Sequence, residues 1–196
     1  FNDYGAARGA SGWLVRAFSA LAGALLISCA AVNAQAASSA VAFPGAMGWA
    51  AHTAGGRGGK IIRVTTLAAN GPGSFVEALN TKGPRIIVFE VGGVIDLGKR
   101  ELKITEPFVT IAGQTAPSPG ITLIRTGIDI ATHDVIIQHL RIRVGSAGAS
   151  REDKWAPDGI STINAHNIMV DHCSLTWAVD ENLSASGPRF TGKTPD

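Results

Sequence analysis

From Lys60 onward the chain is a series of short Ile-, Val- and Thr-rich runs separated by Gly, Pro, Asn, Asp or Thr. The runs occupy residues 60–64, 85–91, 108–111, 121–124, 134–138, 140–144, 159–163 and 167–171. None exceeds seven residues, which is too short for a helix of ordinary length. Their β-branched side chains are stiff at χ1 and pack well on a pleated surface, so each run predicts a strand. Ile87 to Thr110 is 23 residues and Val135 to Ile168 is 33. Such spacing is too uneven for a strict repeat but suits the coils of a solenoid with turns of variable length. A sandwich would ask for hairpin turns every 8–12 residues or so. Asn70-Gly71 is a hairpin-type pair, but it precedes the one helix candidate instead of joining two alternating strands.

That candidate is 73–80. Ser74 can cap it, and Glu77 three residues on completes a capping box. A two-turn helix here would cover the open end of a stack whose edge would otherwise be exposed. Composition supports this picture. Glycine supplies 24 of 196 residues, which belongs to turns, not to a helical bundle. A net charge of +2 gives no basic excess for nucleic acid. The two cysteines cannot make a disulfide scaffold, and no CxxC or HxxxH pattern supports zinc.

The N-terminal part reads differently. Arg16 precedes an apolar, uncharged stretch over 17–32, and Ala34-Gln35-Ala36 follows. A positive residue, an apolar core and a small-x-small site predict a secretory signal over 1–36, with the domain at 37–196. The stretch is short of the ~20 residues a bilayer span needs. Leu26-Ile27-Ser28-Cys29 also resembles a bacterial lipobox, which would put lipid on Cys29. Both readings place the domain outside the cytoplasm, secreted or periplasmic. Removal of Cys29 leaves Cys173 alone, so no internal disulfide is expected.

Several motifs carry a resemblance. They are Gly55-Gly56-Arg57-Gly58-Gly59-Lys60, Ile111-Ala112-Gly113-Gln114-Thr115-Ala116-Pro117, Asp158-Gly159-Ile160-Ser161, Val170-Asp171-His172-Cys173-Ser174-Leu175-Thr176-Trp177 and Asp180-Glu181-Asn182-Leu183-Ser184. In order and spacing, over about residues 43–187, they resemble the pectate lyase superfamily, most of all the secreted bacterial branch of polysaccharide lyase family 1. The resemblance implies an all-β fold, a right-handed parallel β-helix with the short helix as its N-terminal cap. It also implies β-elimination on polygalacturonate: a base removes the C5 proton and the bond to the C4 oxygen breaks. The implied cofactor is Ca²⁺, which takes oxygen ligands and acts as a Lewis acid.

Residue by residue, Asp171 and Asp180 match family calcium carboxylates, and Glu181 is positioned to add a third. The family commonly has an aspartate where this chain has Ser184, which leaves the set one carboxylate short. Arg141 and Arg143 share one face of a strand and can read uronate carboxylates bidentately. The family's catalytic base is an arginine from a later coil. Arg189 is the one arginine after Asp180 and its context does not match, so the chain is expected to be a fragment with no assignable base. The expected partner is an acidic polysaccharide, bound by a monomer, with no nucleic acid and no stable membrane span. Two other readings stay open: a non-catalytic β-helix that binds acidic polysaccharide, and a pectin hydrolase that works with paired carboxylates.

Overall fold

The computed structural model describes residues 40–100 and 102–187. The signal predicted over 1–36, Cys29 and Arg189 lie outside them. Thirteen strands are described: β1 (Lys60–Val64), β2 (Arg85–Phe89), β3 (Gly93–Asp96), β4 (Leu102–Ile104), β5 (Val109–Ala112), β6 (Ile121–Ile124), β7 (Ile128–Ile130), β8 (His133–Gln138), β9 (Leu140–Arg143), β10 (Ile160–Ile163), β11 (His166–Asp171), β12 (Ser174–Thr176) and β13 (Leu183–Ser186). Among the described residues one α-helix, α1 (Phe75–Leu79), lies between β1 and β2. All strand pairs are parallel. Sheet 1 runs β1-β2-β5-β8-β11, sheet 2 runs β3-β6-β9-β12 and sheet 3 runs β4-β7-β10-β13. Each coil visits the three sheets in turn, which is a parallel β-helix.

Register explains why so plain a sequence specifies this stack. Ile87, Ile111, Ile137 and Val170 form one column in sheet 1. Ile95, Leu123, Ile142 and Leu175 form another in sheet 2. Leu102, Ile128, Ile160 and Leu183 form the third in sheet 3. Alternate residues on each strand therefore face one shared core, and like packs on like along the axis. A slip of one residue would turn every column outward. The 33-residue step from Val135 to Ile168 is a true register pair. The 23-residue step is not: Ile87 pairs with Ile111, and successive coils from Arg85 advance by 24, 26 and 33 residues.

The helix forms as the sequence predicts. The Ser74 hydroxyl accepts from the Glu77 N–H at 3.2 Å. Glu77 reaches back one residue further than a capping box would, and accepts from the Gly73 N–H at 2.6 Å. Phe75 is buried and its ring lies 5.5 Å from that of Phe89, so α1 packs on the first coils. Among the described residues no helix is long and apolar enough to cross a membrane.

Arg85 was read as an ordinary member of a strand. It is fully buried, with 0% of its surface exposed. Its guanidinium donates to the carbonyls of Leu79 at 2.7 Å, Pro107 at 3.1 Å, Gly83 at 3.2 Å and Glu106 at 3.3 Å. It thus ties the C-terminal end of α1, where a cation suits the helix dipole, to the turn before β5. Burial pushes its pKa down and the Glu106 carboxylate pulls it back up. Replacing Arg85 with Met would leave these carbonyls unpaired. We expect a loss of about 3–5 kcal/mol in urea unfolding. A loss below about 1 kcal/mol would show that the network is dispensable.

The segment before β1 crosses the outer face of sheet 1. Thr53 donates its hydroxyl to Asp134 Oδ1 (3.0 Å) and the Asn167 carbonyl (2.9 Å), and the Gly56 N–H donates to Thr110 Oγ1 (2.9 Å). This is why β8 is buried on both faces from Asp134 to Gln138. The segment thus covers the middle of sheet 1 over β8.

Candidate functional site

Each strand of sheet 3 turns one central residue outward. In register these are Lys103, Asp129, Ser161 and Ser184. Asp129 accepts from Ser161 Oγ at 3.1 Å and pairs with Lys103 Nζ at 3.2 Å. Over this face lies a groove of about 320 Å³, bounded by Asp129, Ser161, Ile163, Pro157, Asp158 and Asp180 among others. The excursion between β9 and β10 comes back over the sheet at 156–158 and forms one wall.

At the corner leading into sheet 3, Asp158, Asp180 and Glu181 converge. One carboxylate oxygen from each lies within 4.8 Å of the other two. Asp158 is the hub: Oδ1 accepts from the Glu181 N–H (3.1 Å) and Oδ2 from Ser184 Oγ (2.5 Å). The neighbouring Asp180 charge, and then the close Asp158 carboxyl, push the Glu181 pKa up. The donors are all oxygen and the charges repel, which suits a hard divalent cation.

Backbone contact fixes this corner. The Gly159 N–H donates to the Glu181 carbonyl (2.9 Å), the Ile160 N–H to the Asn182 carbonyl (3.1 Å) and the Ile128 N–H to the Gly159 carbonyl (2.9 Å). A Cβ on Gly127 would stand 1.8 Å from the Asp158 carbonyl oxygen, and one on Gly159 2.4 Å from that of Asn182. Glycine is required here because turns of successive coils touch backbone to backbone.

Asp180 and Glu181 lie together at this corner, and Asp171 does not join them. It ends β11 at the corner between sheets 1 and 2, with Oδ2 accepting from Gln138 Nε2 (3.1 Å) and Oδ1 2.8 Å from His172 Nδ1. Burial works to raise its pKa, but these bonds outweigh it and hold the carboxyl below the usual range. Arg141 and Arg143 lie outside the groove too, on the outer face of sheet 2. Arg141 donates to Thr122 Oγ1 (2.9 Å) and the Pro119 carbonyl, and Arg143 to the Ser174 carbonyl (2.6 Å) and Oγ (2.8 Å). Among the described residues neither meets a carboxylate. They tie adjacent coils together on a different face from the groove. Trp177 is 72% exposed. Cys173 is a free thiol, half-buried, with burial raising its pKa.

Asp158 is a member of the carboxylate set that the sequence alone does not single out. Its signal was available: an acid next to Gly159, at the point where the long excursion re-enters a strand.

Stacked parallel coils with an oxygen-only acidic corner beside an open groove define a β-helix that carries its site on one sheet. The chain belongs to the pectate lyase superfamily. It is 41% identical over 148 residues to a protein named probable pectate lyase C from Emericella nidulans, covering 75% of this chain and 33% of that protein. It is 41% identical over 168 residues to a probable pectate lyase C from Neosartorya fischeri, covering 85% and 38%. A probable pectate lyase 13 from Arabidopsis thaliana is 31% identical over 150 residues, covering 71% and 28%. The chain thus spans about a third of the length of these relatives. The fold is shared with the crystal structure of Jun a 1, the major allergen from cedar pollen, at a TM-score of 0.57 and 23% identity, covering 76% of this chain and 45% of that one. No family model matches the chain.

Proposed function

We propose that the groove over sheet 3 binds pectate and that its acidic corner holds Ca²⁺ for β-elimination. The observation that carries this is the convergence of Asp158, Asp180 and Glu181 at the groove edge. Those three residues would hold the ion. When bound, Ca²⁺ supplies charge that neutralises a uronate carboxylate and so acidifies the neighbouring C5 proton. The chain's own residues orient and confine. Asp158 is held by Ser184 and the Glu181 N–H, and the 156–158 wall walls off one side of the groove. Asp129 is already matched by Lys103 and Ser161, so its charge is spent on the floor. No arginine lines the groove among the described residues, and the base stays unassigned. The protein works outside the cytoplasm, a reading that rests on the apolar run before Ala34-Gln35-Ala36.

The direct test is a calorimetric titration with Ca²⁺. Saturable binding is expected, and its absence would contradict the reading. Two further outcomes follow from the ligand set. Ser184→Asp adds a fourth carboxylate beside Asp158 and should tighten Ca²⁺ binding roughly tenfold, since ligand charge tunes calcium affinity. Weaker binding would mean that the Ser184 hydrogen bond to Asp158 matters more than charge. The pH dependence has a definite sign. Because Glu181 holds its proton above the usual glutamate range, Ca²⁺ must displace that proton as pH falls. Affinity should therefore drop as pH is lowered through this raised value, and Glu181→Gln should flatten the profile. Without the ion, the same raised pKa means that folded stability is lost, not gained, as pH rises through it.

A further inference from the structure

We propose that His139, His172 and Asp171 form a second metal site, for a borderline divalent ion such as Cu²⁺, Ni²⁺ or Zn²⁺, at the corner between sheets 1 and 2. This inference is independent of the calcium reading and uses none of its residues. His139 follows β8 and His172 follows β11, so the bends of successive coils present them one above the other. Both adopt left-handed backbone, with φ of 53° and 51°, and their rings stack at 4.9 Å with 16° between planes. One nitrogen of each imidazole and one Asp171 oxygen lie within 4.8 Å of one another. Both histidines are exposed.

The hydrogen bonds set up the ligands. Asp171 Oδ1 lies 2.8 Å from His172 Nδ1. With the proton on Nδ1 and donated to the carboxylate, the lone pair is on Nε2, the arrangement that metal-bound histidines commonly show, so the two imidazoles supply the metal-binding nitrogens and Asp171 orients the His172 ring from behind. Gln138 Nε2 holds the other carboxylate oxygen at 3.1 Å, which fixes Asp171 in turn. Cys173 is next in sequence but contributes nothing, since its Sγ lies against the Ile137 and Asp171 carbonyls. Imidazole is a poor ligand for Ca²⁺ and a good one for later first-row ions, so the donor set selects against the ion suited to the groove. Metal–nitrogen bonds of about 2.0–2.1 Å ask the stacked rings to tilt towards each other, and exposure leaves room for that. Binding would cross-link two successive coils.

The fold contains its own control. His133 and His166 also stack, at 4.8 Å and 10°, and His133 Nδ1 lies 2.8 Å from Asp134 Oδ2. There, however, the carboxylate is buried, and its Oδ1 accepts from the Thr53 hydroxyl (3.0 Å) and the Ala54 N–H (3.2 Å). A stacked pair beside a buried carboxylate held by the Thr53–Ala54 segment is thus set against a stacked pair whose carboxylate is less buried.

Tag-free protein in saturating Ca²⁺ would be titrated calorimetrically with Ni²⁺, Zn²⁺ and Cu²⁺. One ion per chain is expected, with Cu²⁺ tightest. His139→Gln and His172→Gln should each weaken Ni²⁺ binding at least about tenfold, within the range for loss of a ligand's support. The His133→Gln, His166→Gln double variant should bind as wild type does. Equal weakening in both sets, or no Ni²⁺ binding by wild type, would overturn the site. The Cu²⁺ electron paramagnetic resonance spectrum of unaltered protein decides the matter without variants. Coupling to two imidazole nitrogens is expected, and coupling to one or none contradicts the proposal.

Discussion

Gly127→Ala is expected to destabilise the fold by roughly 4 kcal/mol, placing it among the most damaging single changes. The new methyl would sit 1.8 Å from the Asp158 carbonyl oxygen and 2.4 Å from that of Gly159. Neither neighbour is a flexible side-chain end; both are backbone, held by ladder bonds such as Ile128 N–H to the Gly159 carbonyl. Relief requires the coil carrying β10 to lift from the one carrying β7, which breaks those bonds and opens the Ile128–Ile160 contact. For a chain of this size a change of that order lowers the midpoint by about 8–16 °C. A thermal melt checks it, and a shift under about 2 °C would show that the turns are not in hard contact. Gly71→Ala is not a fair comparison, because its φ of +90° adds backbone strain with no neighbour within 4 Å. Gly127 tests sterics alone.

Asp158→Asn should weaken Ca²⁺ binding at least about 100-fold, or about 2.7 kcal/mol. The substitution keeps the shape but removes one of three charges. It also turns one oxygen into a donor, beside a Ser184 hydroxyl and a Glu181 N–H that both need an acceptor. The Glu181 pKa should fall back towards its usual range, since one of the two carboxyls raising it has lost its charge. Calorimetry reads the affinity and a pH titration reads the second effect. Asp171→Asn is the contrasting variant. Asp171 lies with His139 and His172, so its loss should leave Ca²⁺ affinity within about twofold of wild type. Equal losses for the two would restore Asp171 to the calcium set.

The contrast between those aspartates shows how far the sequence could be read. β1 and β6 match their predicted runs residue for residue, because uninterrupted β-branched stretches leave no other period. β4 and β7 escaped notice: three residues with Lys103 or Asp129 in the middle look polar until the neighbouring coil supplies the pattern. Of those central residues, Asp129 lines the groove. The carboxylate set was legible only in part for a related reason. Asp180 and Glu181 are adjacent in sequence, and any turn keeps them together. Whether Asp158 or Asp171 joins them depends on which corner each occupies, and that is set by loops of unequal length. The 16-residue excursion after Arg143 returns Asp158 to the sheet 3 corner, whereas β11 delivers Asp171 to the opposite one. Arg141 and Arg143 share a face as the period of two requires, but period alone cannot say which sheet that face belongs to.

Calorimetric titration with an oligogalacturonate, with and without Ca²⁺, tests most directly the proposal that the groove over sheet 3 binds pectate through Ca²⁺. Binding is expected in Ca²⁺, none in excess chelator, and the Ca²⁺-dependent signal should be lost in Asp180→Asn. Binding that persists in chelator, or survives that substitution unchanged, would contradict it.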